Sequence, residues 1–227
     1  MEIINKIFKS NTSGYFKVLE LRYKDNKNQY YLIEFLETKT QMIARKVNIV
    51  RGQVKDCWYK TVFGVACLGN IKPHEHPELY RIWKNIISRC YNKKDKWYKS
   101  YGGKGVTVDQ RWLCFEYFYK DAILLDGYDE NKIGKGLIEL DKDLKQKDVP
   151  IYKKIYSKDT CIWIDKSINR KNAFEKRRTF KAISPDGKVY IANNQTEFAR
   201  EHNLHNINLY LNNKRKNKKG WKFEYLD

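Results

Sequence analysis

Apolar residues change their spacing several times along this chain, and no block of one spacing is long enough to build a single large core. Residues 14 to 35, GYFKVLELRYKDNKNQYYLIEF, alternate apolar and polar on either side of the turn-forming KDNKN, as two antiparallel strands with one buried face do. TQMIARKVNIVRGQV and YKTVFGVACLG add β-branched stretches punctuated by Gly52, Gly64 and Gly69, so the first seventy residues or so read as a small, mostly β module. Pro73 and Pro77 in IKPHEHPEL then mark a boundary, because proline and the residue before it resist helix-interior geometry. From Glu78, the residues Leu79, Ile82, Trp83, Ile86, Ile87 and Cys90 recur at helical spacing, with Arg81, Lys84, Asn85 and Arg89 on the opposite face. After a turn at Gly102, Gly103 and Gly105 come a short strand at Val106 to Val108 and a second amphipathic helix from about Leu113 to Leu125.

From Gly136 the pattern becomes strand, long basic loop, strand, helix. GLIELD and TCIWI are the strands, and KSINRKNAFEKRR is the helix. Lys145, Lys147, Lys153, Lys154 and Lys158 make the connection cationic. Residues 180 to 192 read as a hairpin turned at Pro-Asp-Gly, and the remainder as two short helices. Asn194 caps the first with Glu197 three residues on, and Asn203-Leu204 makes the break. The expectation is an α+β protein of three modules: a small N-terminal β domain over residues 1–72, a central strand–strand–helix unit with flanking helices over 73–178, and a C-terminal hairpin plus helix-turn-helix, winged or plain, over 179–227. A hydrophobic content of 41% with mean hydropathy −0.78 agrees with several small cores rather than one.

Charge narrows the partner. With 46 Lys+Arg against 27 Asp+Glu and a formal net charge of +19, the natural partner is a polyanion, and nucleic acid is the first candidate. No apolar run approaches the ~20 residues that span a bilayer, and MEIINKIFKSNTSGYF lacks the apolar centre of a secretory signal, so a soluble, cytoplasmic protein without a membrane partner is expected. The cysteines Cys57, Cys67, Cys90, Cys114 and Cys161 are odd in number and form no CxxC pair, which argues against a disulfide framework or zinc knuckle and for reduced, half-buried thiols. His74 and His76 have no acidic or cysteine partner at a useful spacing and read as surface histidines. RNA binding through the aromatic residues is a weaker reading, since those residues fall at core-facing positions.

Two constellations carry chemistry. Phosphodiester cleavage needs charge stabilisation at phosphorus and at the departing oxygen, together with an activated water. Asp141 at the end of the first strand and Asn169 on the helix after the second are placed to share a single hard divalent cation, Mg²⁺ or Mn²⁺. The bland alternative is that Asp141 caps a loop and Asn169 is an ordinary helix-face amide. In the C-terminal module Asn206, Asn208, Asn212, Asn213, Lys214 and Arg215 lie outside the apolar seam, where asparagine amides suit adenine edges and NNKRKNKK suits phosphates. The alternative there is a solvated charge run.

The stretch LYRIWKNIISRCYN, YGGKGVTVDQRWL, LDKD, YSKDTCIWI and Asn169 resembles the HNH endonucleases of bacteriophages, including the intron-encoded homing type, whose fold is the ββα-metal finger. ISPDGKVYIANNQTEFAREHNL is similar to the helix-turn-helix modules appended to those enzymes. The resemblance covers roughly residues 74 to 225 and implies a DNA endonuclease, a hydrolase acting as a monomer on duplex DNA in an infected bacterial cytoplasm. It makes Asp141 and Asn169 the metal ligands, Trp163 a structural residue, and Arg89, Lys104 and Arg111 candidates for DNA contact. At the family's general-base histidine this chain carries Lys142. Three versions stay open: water activated by the metal or by Asp143, Lys142 stabilising phosphate charge, or an inactive HNH-derived DNA-binding protein, a phage regulator or an anti-defence factor.

Overall fold

The computed structural model describes residues 2–168, 178–212 and 220–226, in two compact units, residues 1–164 and 165–227.

The first unit begins with a four-stranded antiparallel meander, β1 (Ile7–Lys9), β2 (Tyr15–Lys24), β3 (Gln29–Phe35) and β4 (Gln41–Arg45), in that order. The alternation in the sequence is met on one face at Phe16, Val18, Ile33 and Phe35, which are buried while their neighbours are not, and two register shifts interrupt it in β2 after Val18. The apparent β continuation at KVNIV is instead a short helix, α1 (Lys46–Val50). Ile49, fully buried against the sheet, decides its conformation, because local β-propensity is weaker than the burial of one large side chain.

YKTVFGVACLG forms no named strand. It contributes isolated bridges, Val62 with Ala66 and Cys67 with Cys114, and Val62 and Ala66 bury in a second core rather than with the sheet. That core is built on α2 (Pro77–Tyr91) and α3 (Phe115–Ala122). Pro77 starts α2 without cost, since the first helical position needs no N–H. Leu79, Trp83, Ile86 and Ile87 then pack with Trp112, Phe115 and Phe118, and each such burial is worth roughly 1.5–3 kcal/mol. The indole N–H of Trp83 donates to the Trp112 carbonyl at 2.7 Å, so the largest side chain of α2 leaves no orphaned donor.

Three strand segments complete the unit around β5 (Thr107–Val108): β6 (Ile138–Asp141), β7 (Ile155–Tyr156) and β8 (Ile162–Asp165). β6 pairs with β8, and β5 pairs in parallel with β7, a segment the sequence placed in loop. A short helix, α4 (Glu130–Gly134), was also unanticipated; Asp129 caps it and Ile133 enters the core. The first glycine of YGGKG is sterically required: a β-carbon on Gly102 would lie 1.9 Å from the Cys90 carbonyl at the end of α2. Trp163 on β8 is buried and donates to the Ala122 carbonyl at 2.8 Å.

In the second unit the expected hairpin is β9 (Phe180–Ile183) and β10 (Val189–Ala192), turned at Pro185-Asp186-Gly187. α5 (Gln195–Glu201) is capped by Asn194, whose Oδ1 accepts from the Glu197 amide and whose Nδ2 donates to the Glu197 carboxylate at 2.9 Å. α6 (Ile207–Leu211) follows, and β11 (Lys222–Tyr225) returns to pair antiparallel with β9. Phe180, Ala182, Phe198, Leu204, Ile207 and Leu211 form this unit's own core. Among the described residues no helix is long and apolar enough to cross a membrane.

Candidate nucleic-acid and metal site

β6 delivers Asp141, Lys142 and Asp143 to one place with three different environments. Asp141, half-buried at the strand end, accepts from the amides of Asp143 at 2.8 Å and Leu144 at 2.6 Å, both on Oδ1. The carboxylate thus turns the chain out of the strand, as aspartate commonly does. Among the described residues no donor engages its Oδ2.

Lys142 points the other way and is 4% exposed. Its ammonium donates to Asp143 Oδ2 at 2.8 Å and lies over the rings of Tyr101 and Tyr156, 5.3 and 5.5 Å from their centroids. The Arg89 guanidinium shares the same two rings at 4.9 and 5.1 Å. Among the described residues Arg89 Nε is buried without a hydrogen-bond partner, and the faces of Tyr101 and Tyr156 offset the desolvation of its guanidinium. Asp143 also accepts from Lys154 at 2.6 Å. Burial raises the Asp143 carboxyl, but the bonds from Lys142 and Lys154 outweigh that and hold it below the ordinary carboxylate range. Buried Gln146 fixes the loop, donating to the carbonyls of Lys142 at 2.6 Å and Ile155 at 3.0 Å and accepting from the Ile155 amide.

The sequence reading set Lys154 only in the cationic loop and missed Tyr101, Gln146 and Tyr156. The first and third come from YGGKG and KKIYSK, whose aromatic residues adjoin glycine or lysine, a mixture that reads as exposed loop. Only the parallel pairing of β5 with β7 brings these two segments under Lys142.

No protein-family model matches this chain, and no curated protein matches it. Among solved structures it is similar to one of the HNH homing endonuclease I-HmuI, described for its DNA binding and cleavage, at 13% identity over 96% of this chain and 90% of that one. The TM-score is 0.22.

Asp141 Oδ2 is a carboxylate oxygen, the donor type that hard divalent cations take. Asn169, its expected partner, lies outside the described residues. Among the described residues no group of three His, Cys, Asp or Glu side chains is placed to hold a metal, and Asp143 is occupied by two lysines. His74 is exposed, and His76 packs its ring against Tyr119 at 4.0 Å.

The candidate DNA contacts divide. Arg89 is committed to the tyrosine pair. Lys104 is exposed on the helical turn Gly102–Lys104. Arg111 is exposed but held by Asp121, with Nε donating at 2.8 Å and Nη2 at 3.1 Å. Asn206, Asn208 and Asn212 are all exposed around α6. Asn206 enters the helix at φ +56°, and Asn212 Nδ2 donates to the Asn208 carbonyl at 2.7 Å. Asn213, Lys214 and Arg215 lie outside the described residues.

Proposed function

We propose that this protein binds duplex DNA, with α5, its following turn and α6 as the reading element and the basic surface as the grip on phosphate. The observation that supports this reading most is the exposed amide set Asn206, Asn208 and Asn212 on a helix whose opposite side, Ile207 and Leu211, is buried. An amide presents the donor and acceptor that an adenine edge complements. The formal charge of +19 supplies the sequence-independent attraction.

A second reading, nicking or cleavage of that DNA at Asp141, is favoured by its Oδ2 at the end of β6, which no donor among the described residues engages. Asp141, with Asn169, would hold a Mg²⁺ or Mn²⁺ ion, which when bound supplies Lewis-acid stabilisation and a more acidic water. This chain's own residues then have defined parts. Asp141 fixes the turn through Oδ1, Lys142 and Lys154 neutralise Asp143, and Gln146 keeps the loop in register. Lys142, buried and paired with Asp143, supports the turn from beneath.

The test is incubation of purified protein with plasmid DNA and Mg²⁺ or Mn²⁺ beside Asp141→Asn. Metal-dependent nicking that the variant lacks supports the second reading. Retarded but intact DNA leaves the first alone, and no retardation at low salt overturns both.

A further inference from the structure

Cys67 and Cys114, far apart in sequence, are bridge partners between parallel segments: the Cys67 amide donates to the Leu113 carbonyl at 2.9 Å and the Phe115 amide to the Cys67 carbonyl at 3.0 Å. Neighbouring chains so paired lie ~4.8 Å apart, inside the ~4.4–6.8 Å window that a disulfide requires between α-carbons. The two thiols also act on each other, Cys114 holding the Cys67 thiol up and Cys67 bringing the Cys114 thiol down. Gly69 packs against the same point; a β-carbon there would lie 2.9 Å from Cys114 Sγ.

We propose that Cys67 and Cys114 are an oxidisable dithiol that closes to an intramolecular disulfide with a two-electron oxidant of the peroxide class. Cys67 is half-buried and Cys114 buried, so a small oxidant suits the site. Cys114 stands at the N-cap of α3, where the helix field favours a thiolate, and the neighbouring Cys67 brings its thiol down against the effect of burial. In the first step the Cys114 thiolate attacks one peroxide oxygen, the O–O bond breaks, and a sulfenic acid and hydroxide result. In the second the Cys67 sulfur attacks the Cys114 sulfur, the S–S bond forms, the S–O bond breaks, and the departing hydroxide leaves as water with the Cys67 proton. The sum is two thiols and one hydrogen peroxide giving a disulfide and two waters.

The other thiols are differently placed. Burial pushes Cys90 up to about 11 and Cys161 up to about 12, while the Cys57 thiol donates to Asn70 Oδ1 at 3.2 Å.

The test treats the reduced full chain with hydrogen peroxide, alkylates remaining thiols under denaturing conditions and maps proteolytic peptides by mass. The expected result is one peptide joining Cys67 to Cys114, lighter by two hydrogens, in a monomeric protein whose Tm rises by several degrees. Cys67→Ser should melt like the reduced parent and show neither the link nor the rise, while Cys57→Ser should show both. A protein in which both cysteines remain alkylatable, or in which Cys57 or a second molecule supplies the partner, overturns the proposal.

Discussion

Lys142 and Asp143, consecutive in sequence, form an ion pair at 2.8 Å in which the ammonium side chain is 5% exposed and the carboxylate 40%. A buried charge is tolerated only when paired and otherwise surrounded by favourable partners, and here the partners are one carboxylate and the faces of Tyr101 and Tyr156. The pair shapes the region that the sequence marks for chemistry, because Asp143 is also the carboxylate that holds Lys154.

Removing the carboxylate should therefore cost more than a surface salt bridge. Asp143→Ala is expected to destabilise the fold by about 2 kcal/mol, less than the ~3–5 kcal/mol of a fully buried pair because Asp143 is 40% exposed. Lys142→Met in the same background should restore most of the loss, since it removes the uncompensated ammonium. A double-mutant cycle from urea melts measures this, and additive effects would show that the two residues are not coupled.

The same pair sets a dependence on pH. The folded Asp143 carboxyl lies below its ordinary 3.8, so its contribution is complete above that value and is lost as pH falls through the lower folded value. Thermal melts of the parent from neutral pH down to about 3 should fall more steeply at the acid end than those of Asp143→Asn. Parallel curves would mean that Asp143 titrates alike folded and unfolded.

The sequence carried periodicity well and environment poorly. The strands β2 and β3, the helix α2 and the β9–β10 hairpin were legible because each has an alternation or a 3.6-residue period anchored by proline, glycine or asparagine. α1 was not, because its β-branched residues and one buried Ile49 look like strand until the sheet beneath them is known. β11 was missed beside a lysine run, although Phe223 and Tyr225 alternate with charged neighbours. The triplet Asp141, Lys142, Asp143 was legible as a place, but the inward turn of Lys142 depends on Tyr101 and Tyr156 meeting through the parallel pairing of β5 and β7. No local pattern announces a long-range parallel pair of two residues.

Asp141 allows the structural and chemical roles to be separated with two substitutions. Asp141→Ala removes the acceptor of the Asp143 and Leu144 amides and should cost about 1–2 kcal/mol of stability. Asp141→Asn keeps a side-chain oxygen for those amides and should cost under about 1 kcal/mol. If Asp141 also serves cleavage, Asn loses metal-dependent nicking while its melting curve stays near the parent's. Equal nicking by the parent and the Asn variant would confine Asp141 to the turn.

Asn206 and Asn208 make the last prediction, because the backbone separates them. Asn206 sits at φ +56°, a conformation asparagine and glycine adopt more readily than other residues, so Asn206→Ala would mix strain with lost recognition. Asn206→Gly avoids the strain and should fold as stably as the parent. Asn208 has a helical backbone and an exposed side chain, so Asn208→Ala tests the amide alone. With a cognate duplex, loss of a base-reading amide should weaken binding by about 1–3 kcal/mol, roughly 5- to 150-fold, and relax selection at one base pair without changing the salt slope. Titrations over a range of salt on cognate and scrambled duplexes read both quantities. An Asn208→Ala protein that keeps its affinity on the cognate duplex would move recognition away from α6, leaving that helix to pack the second unit's core.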